Sequence, residues 1–227
     1  VDSVVVKVLP IPNITINKDT AVCGTTYKVP TYVPSVKGDD KIIPTYSWGK
    51  SEGENNADFD VKTGIFKPKN MGDNDSVICR LNLTEKIDAC SASKDANVKF
   101  YAKPVVEKLK SCPDTLCDEE VLKIDLTKIF KAEHAKSLVW YSSDIEFTPD
   151  NTNVYVASDD DKDQGYVKLT LLANGYGCCD DAEKTVMIYI KKPVTPTITD
   201  GEFDVCKNDE VTYKTQPGMS DYVWKVD

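Results

Sequence analysis

The chain has 227 residues, 28 Lys+Arg against 37 Asp+Glu for a formal net charge of −9, one His and eight Cys. At 41% hydrophobic and 29% charged it reads as a soluble, folded chain of two domains or slightly more. Its acidity excludes a basic phosphate-binding face, and no apolar run approaches the roughly 18 residues of a membrane span, so neither nucleic acid nor membrane insertion is expected.

Taken in order, the elements repeat. An alternating apolar run ends at a proline three times: Ser3–Pro10, Asn97–Pro104 and Thr185–Pro193. Cys23, Cys112 and Cys206 follow, and both the prolines and these cysteines recur with a period of about 90 residues. The interval from Cys23 to Cys90 equals that from Cys112 to Cys179. Cys90 also stands as far before Pro104 as Cys179 does before Pro193. Between these marks come Tyr46-Ser-Trp48, Leu138-Val-Trp140 and Tyr222-Val-Trp224, then Phe66-Lys-Pro68 or Phe147-Thr-Pro149. A long alternating strand follows, Val77–Leu83 or Val167–Leu171, and Asn174-Gly175 supplies hairpin-turn chemistry in the second copy. Short period-two strands between turn residues predict an all-β chain of tandem β-sandwich repeats of about 90 residues. The frame assigns 1–9 to the last strand of a preceding repeat, 10–103 to repeat 1, 104–193 to repeat 2, and 194–227 to the first half of a truncated repeat 3. One short helix is expected over Thr127–Lys136, which carries good helix formers around Ile129 and Phe130.

Eight scattered cysteines without paired CxxC motifs point to a secreted, disulfide-bearing protein rather than a zinc protein. The repeat phase proposes Cys23–Cys90 and Cys112–Cys179, with Cys117–Cys178 as a second bridge in repeat 2. Cys79 shares the inward parity of Val77 and Leu81 and reads as a buried thiol; the rival is an immunoglobulin-type Cys23–Cys79 bridge. Trp48, Trp140 and Trp224 recur at one position and are expected in cores.

Chemistry is sparse. His134 sits in a polar stretch without a neighbouring nucleophile and reads as solvent-facing. No phosphate loop, HExxH or GxSxG occurs, so no catalytic residue and no enzyme is expected. No cofactor is expected apart from calcium, which the alternating carboxylates Asp159, Asp161 and Asp163 in an acidic loop offer to hold; the alternative is a solvated turn.

The order of strand, proline, Cys, Tyr-x-Trp, Phe-x-Pro, long strand, turn, Cys and closing Lys-Pro strand resembles the PKD-like and immunoglobulin-like repeats of Bacteroidota surface proteins. Those include gliding-motility adhesins and other cargo of the type IX secretion system. The resemblance implies a non-enzymatic stalk or adhesive segment of a large secreted protein on the outer-membrane exterior. Its partners would be neighbouring repeats and a surface polysaccharide or protein. Bacteroidota O-glycosylation at Asp-Ser/Thr followed by a small or apolar residue implies Ser3, Thr20, Ser76 and Thr115 as acceptors, although such pairs also form turns. Asn13-Ile-Thr15 and Asn82-Leu-Thr84 match the N-glycan pattern, with Asn82 in a strand. The alternative function is a glycan- or protein-binding module accessory to a surface enzyme or capture protein, for which Tyr141, Tyr155, Tyr166 and Tyr176 are the aromatics of interest.

Overall fold

The computed structural model describes residues 3–4, 6, 8–34, 44–72, 74–118, 121–192, 194–217 and 223. Tyr222 and Trp224 of the third tryptophan landmark fall outside them. The first seven strands are β1 (Asp19–Cys23), β2 (Tyr27–Lys28), β3 (Thr45–Lys50), β4 (Ala57–Asp60), β5 (Ile65–Pro68), β6 (Ser76–Ile87) and β7 (Cys90–Tyr101). They form a four-stranded sheet of order β1-β7-β6-β3 and a three-stranded sheet of order β2-β5-β4. Period-two alternation places Cys79, Leu81, Val98 and Phe100 on the inner face of the larger sheet, against Ala57 and Phe66 of the smaller. This is the immunoglobulin arrangement of two facing sheets, with the edge strand β1 running parallel to β7. A second cluster of Ile14, Tyr32 and Leu83 extends the core beneath Trp48.

The next elements are β8 (Val105–Lys108), β9 (Thr115–Cys117), β10 (Lys123–Asp125), a 3-10 turn (Leu126–Lys128), β11 (Phe130–Glu133), β12 (Ser137–Ser142), β13 (Ile145–Phe147) and β14 (Val154–Val156). Helix α1 (Asp159–Gln164), β15 (Tyr166–Asn174) and β16 (Ala182–Lys191) follow. The main sheet runs β13-β12-β15-β16-β9, and the short pairs β10-β14 and β11-β8 complete the body. Its core, centred on Leu122, Ile124, Ile129, Val167, Leu169 and Ile188, draws no buried residue from before position 112. The two bodies therefore have separate cores. Beyond them β17 (Ile198–Asp200) pairs with β18 (Lys214–Thr215).

The tryptophan landmark is structural in both bodies. Trp48 pairs in register with Leu83, Trp140 with Leu171, and each packs on its own core. The Phe-x-Pro landmark is not equivalent: Phe66 lies in the smaller sheet, whereas Phe147 flanks β12 in the larger one. The cause is the turn at Ser143-Asp144, where φ values of 47° and 69° fold β12 and β13 into a tight hairpin. The helix expected over Thr127–Lys136 is corrected. Only Leu126–Lys128 turns as a 3-10 element, and Phe130–Glu133 pairs antiparallel with β8, because sheet pairing with Phe130 buried outweighs local propensity. In 1–9, Val4, Val6 and Val8 are 86%, 78% and 88% exposed and lie in no strand.

Candidate functional site at the joint between the two sandwiches

The chain leaves the first body at Tyr101 and enters the second at Val105 through Ala102-Lys103-Pro104, with proline stiffening the link. The Ala102 N–H donates to the Asp75 carbonyl at 2.9 Å. Across this link Cys23, at the end of β1, is disulfide-bonded to Cys179, in the loop between β15 and β16, with their Cα atoms 4.9 Å apart. The Tyr101 and Tyr176 rings stack with centroids 6.4 Å apart and planes within 6°. The Lys99 ammonium stands 4.7 Å from the Tyr101 ring centroid. His134 brings Nδ1 to 3.3 Å from Asp75 Oδ1. The same Asp75 carboxylate, by its charge first, raises the Tyr176 phenol above its usual range.

Two glycines shape this contact. A Cβ on Gly177, whose φ is +58°, would lie 2.3 Å from the Tyr101 ring. A Cβ on Gly175 would lie 2.4 Å from the Cys179 carbonyl oxygen, so only glycine lets the loop fold back and present that cysteine. The expected tight turn at Asn174-Gly175 is thus a longer loop; Asn174 ends β15, and β16 begins at Ala182.

The expected pairings are corrected by distance along the strands. Cys23 aligns with Tyr101, whereas Cys90 opens β7 at its other end, roughly 35 Å away at about 3.3 Å per residue. A disulfide needs Cα atoms within about 7 Å, so Cys23–Cys90 cannot form. Cys112–Cys179 is displaced because Cys179 bonds Cys23, and Cys112 is a buried thiol of the second core. Cys117 aligns with Lys191 at one end of β16, while Cys178 precedes the other end, roughly 30 Å off, so that bridge is also precluded. Cys79 is buried and free, which leaves the rival Cys23–Cys79 bridge unmade. Its Sγ–H faces the Asn56 carbonyl at 3.8 Å.

A signal for the joint was present in the sequence. Cys23, Cys117 and Cys206 stand at one and the same offset past Pro10, Pro104 and Pro193, whereas Cys112 comes sooner after Pro104. Cys117, not Cys112, is the counterpart of Cys23. The strand register agrees: Cys23 aligns with Tyr101 and the Gly24 N–H donates to the Tyr101 carbonyl at 2.8 Å. Correspondingly, Cys117 aligns with Lys191 and the Asp118 N–H donates to the Lys191 carbonyl at 2.9 Å.

The acidic segment is a capped helix, not a loop. Ser158 Oγ accepts from the Asp161 N–H at 3.1 Å, and Asp161 Oδ2 accepts from the Ser158 N–H at 2.9 Å and from the Tyr155 hydroxyl at 2.8 Å. Asp159 and Asp161, two apart on a helix, face different ways, and Asp161 is buried. Among the described residues no three His, Cys, Asp or Glu side chains gather as a cation site, Asp159, Asp161 and Asp163 included. His134 is corrected from solvent-facing to a side chain 23% exposed at the joint. Tyr155 packs on Phe147 and Tyr176 on Tyr101, while Tyr141 and Tyr166 lie half-buried on the outer sheet face, so the four tyrosines form no common row. Of the candidate glycan acceptors, Ser3 and Thr115 are exposed and Thr20 and Ser76 are half-buried; Asn13 is exposed and Asn82 half-buried.

The first body also has a cleft of about 400 Å³ lined by Tyr27, Thr31, Tyr32, Trp48 and Ala96 among others. Trp48 Nε1 itself is buried from solvent and has no hydrogen-bond partner among the described residues. The Tyr32 hydroxyl donates to the buried Glu85 carboxylate at 2.8 Å.

No protein-family model matches the chain, and no curated protein sequence does. Among solved structures, extracellular domains 3–5 of Drosophila OTK are similar at 11% identity and TM-score 0.44, over 81% of this chain and 61% of that one. A variant of titin domains I67–I69 is similar at 15% identity and TM-score 0.40, over 81% and 65%. The N-terminal four Ig domains of Dscam1 are similar at 12% identity and TM-score 0.40, over 80% and 46%. The chain thus spans less than two thirds of each. Among the described residues no helix is long and apolar enough to cross a membrane.

Proposed function

We propose that the chain is a run of serial immunoglobulin-like modules, 10–103 and 104–193 with parts of neighbours at 1–9 and 194–227, serving as a non-enzymatic stalk or adhesive segment of a secreted cell-surface protein. The observation that carries this reading is the Cys23–Cys179 bond across the joint. Two covalent tethers, the backbone link and the disulfide, restrict bending that a single proline link would permit. The bond also changes where tension goes. A pull on the chain ends enters at Cys23 and leaves at Cys179 through the two sulfurs, so the segment between them is not extended while the bond holds, and the load falls on β1 and β16. The exposed alternation of Val4, Val6 and Val8 fits a strand whose sheet belongs to another module. An acidic surface keeps an extended chain dispersed. The finer reading, a Bacteroidota adhesin of gliding-motility type exported by the type IX route to the outer-membrane exterior, rests on the resemblance of the repeat landmarks.

Single-molecule pulling tests it. The 156-residue separation of the bonded cysteines hides a contour of about 50 nm at roughly 3.4 Å per residue. That length is expected to stay hidden without reductant and to appear once reductant is added. Equal release in both conditions contradicts the reading.

The cleft lined by Tyr27, Tyr32 and Trp48 favours a second reading, a ligand-binding module, because its walls are aromatic. Binding on a glycan array that Trp48→Phe abolishes without lowering Tm supports it; array silence of the folded protein removes it.

A further inference from the structure

The disulfide of this joint is made from two positions that both bodies possess. The first position is the last residue of the edge strand that runs parallel to the final strand: Cys23 in β1 and Cys117 in β9. The second is the connection between the last two strands: Cys90 follows the Asp88-Ala89 turn between β6 and β7, and Cys179 lies in the loop between β15 and β16. Because the final strand joins these positions, they occupy opposite ends of one sandwich. Cys23 is therefore presented upward toward the following body and Cys90 downward, away from it. In the second body Cys179 faces the first body and Cys117 stands at the far end, beside the chain's exit at Lys191.

One member of each pair is used here, and the other is not. Cys23 and Cys179 are bonded; Cys90 is half-buried and free, and Cys117 is exposed and free. The segment after Lys191 carries the same landmark again, with Cys206 at the offset past Pro193 that Cys117 keeps past Pro104.

We infer that Cys117 and Cys90 are open halves of further joints of the same kind. Cys117 bonds the last-hairpin cysteine of the module that follows, and Cys90 bonds the edge-strand cysteine of the module that precedes. This inference rests on the serial-module part of the proposed function and is independent of any adhesive target. Each bond forms by thiol–disulfide exchange: two protein thiols become one disulfide while a disulfide oxidant of the export compartment takes the two electrons and two protons and leaves as two thiols. The stalk is then an overlapping chain of staples, each bridging the front of one sandwich to the tail hairpin of the next.

The test is non-reducing peptide mapping of the full-length protein as secreted, alkylated before digestion. Cys117 is expected in a cross-link to a last-hairpin cysteine, one placed before its repeat-ending proline as Cys179 is before Pro193. Cys90 is expected in a cross-link to an edge-strand cysteine, one placed after a repeat-ending proline as Cys23 is after Pro10. Both partners are expected outside residues 1–227. In Cys117→Ser the partner hairpin cysteine is expected to become alkylatable while Cys23–Cys179 persists; the exposed position of Cys117 keeps the variant folded. A bond from Cys117 or Cys90 to any cysteine within residues 1–227, or either residue recovered as a free thiol, overturns the inference. Pulling experiments on the 227-residue chain read only Cys23–Cys179, so the two proposals fail separately.

Discussion

Of the six free cysteines, burial sets Cys79 and Cys112 apart from the exposed Cys117, Cys178 and Cys206, with the half-buried Cys90 between them. Desolvation, with the Glu54 carboxylate adding to it, pushes the Cys79 thiol up to about 11, and burial likewise raises Cys112. A thiol that stays protonated is a poor nucleophile. Iodoacetamide at pH 8 is therefore expected to label the exposed Cys117, Cys178 and Cys206 in the folded 227-residue chain, where Cys117 has no neighbouring module to bond, and to reach Cys79 and Cys112 only after denaturation; equal labelling before and after would contradict their placement. Asp161 shows the same logic for a carboxylate. Its oxygens hold Tyr155 and the start of α1, so Asp161→Ala leaves buried partners unmet and is expected to cost about 2 kcal/mol, read by urea unfolding. Millimolar calcium is expected to leave Tm unchanged, and a clear rise would instead assign the segment to the cation.

Among the elements, alternation made the long strands legible. The inward parity of Val77, Cys79 and Leu81, or of Val167, Leu169 and Leu171, is a direct reading of period two, and β6 and β15 follow it. Phe130–Glu133 was illegible because its strand character comes from β8, well before it in the chain, and nothing local encodes that partner. The turns are held by carboxylates. Asp60, Asp125 and Asp150 accept from Thr63, Thr127 and Thr152 respectively, and these bonds lower each carboxyl below its usual value. Groups with depressed folded values stabilise fully above the unfolded value of about 3.9, and that contribution is lost as pH falls through the folded value. Unfolding free energy is expected to be flat across pH 5–7 as far as these groups are concerned and to fall below about pH 4. Asp125→Asn is expected to shallow that fall, and an unchanged profile would remove Asp125 from the account.

At the scale of the whole molecule, the sequence periodicity located two sandwiches but placed their cross-link wrongly. Choosing Cys112 as the counterpart of Cys23 kept the pairings inside each repeat; the shared offset from the proline selects Cys117 and leaves Cys179 for Cys23. The rest of the joint has no linear signature. Tyr101, Tyr176, Asp75 and His134 meet because two bodies abut, and a lone histidine or a strand-ending tyrosine does not announce a neighbour. Gly177→Ala is expected to push Tyr101 aside and to make the joint disulfide reduce several-fold faster in dilute dithiothreitol, with the melting of the two cores unchanged. The most direct measurement of the whole account is non-reducing peptide mapping of the 227-residue chain itself. A cross-linked peptide pair containing Cys23 and Cys179 is the expected result; Cys23 joined to Cys90, with Cys112 joined to Cys179, would contradict it.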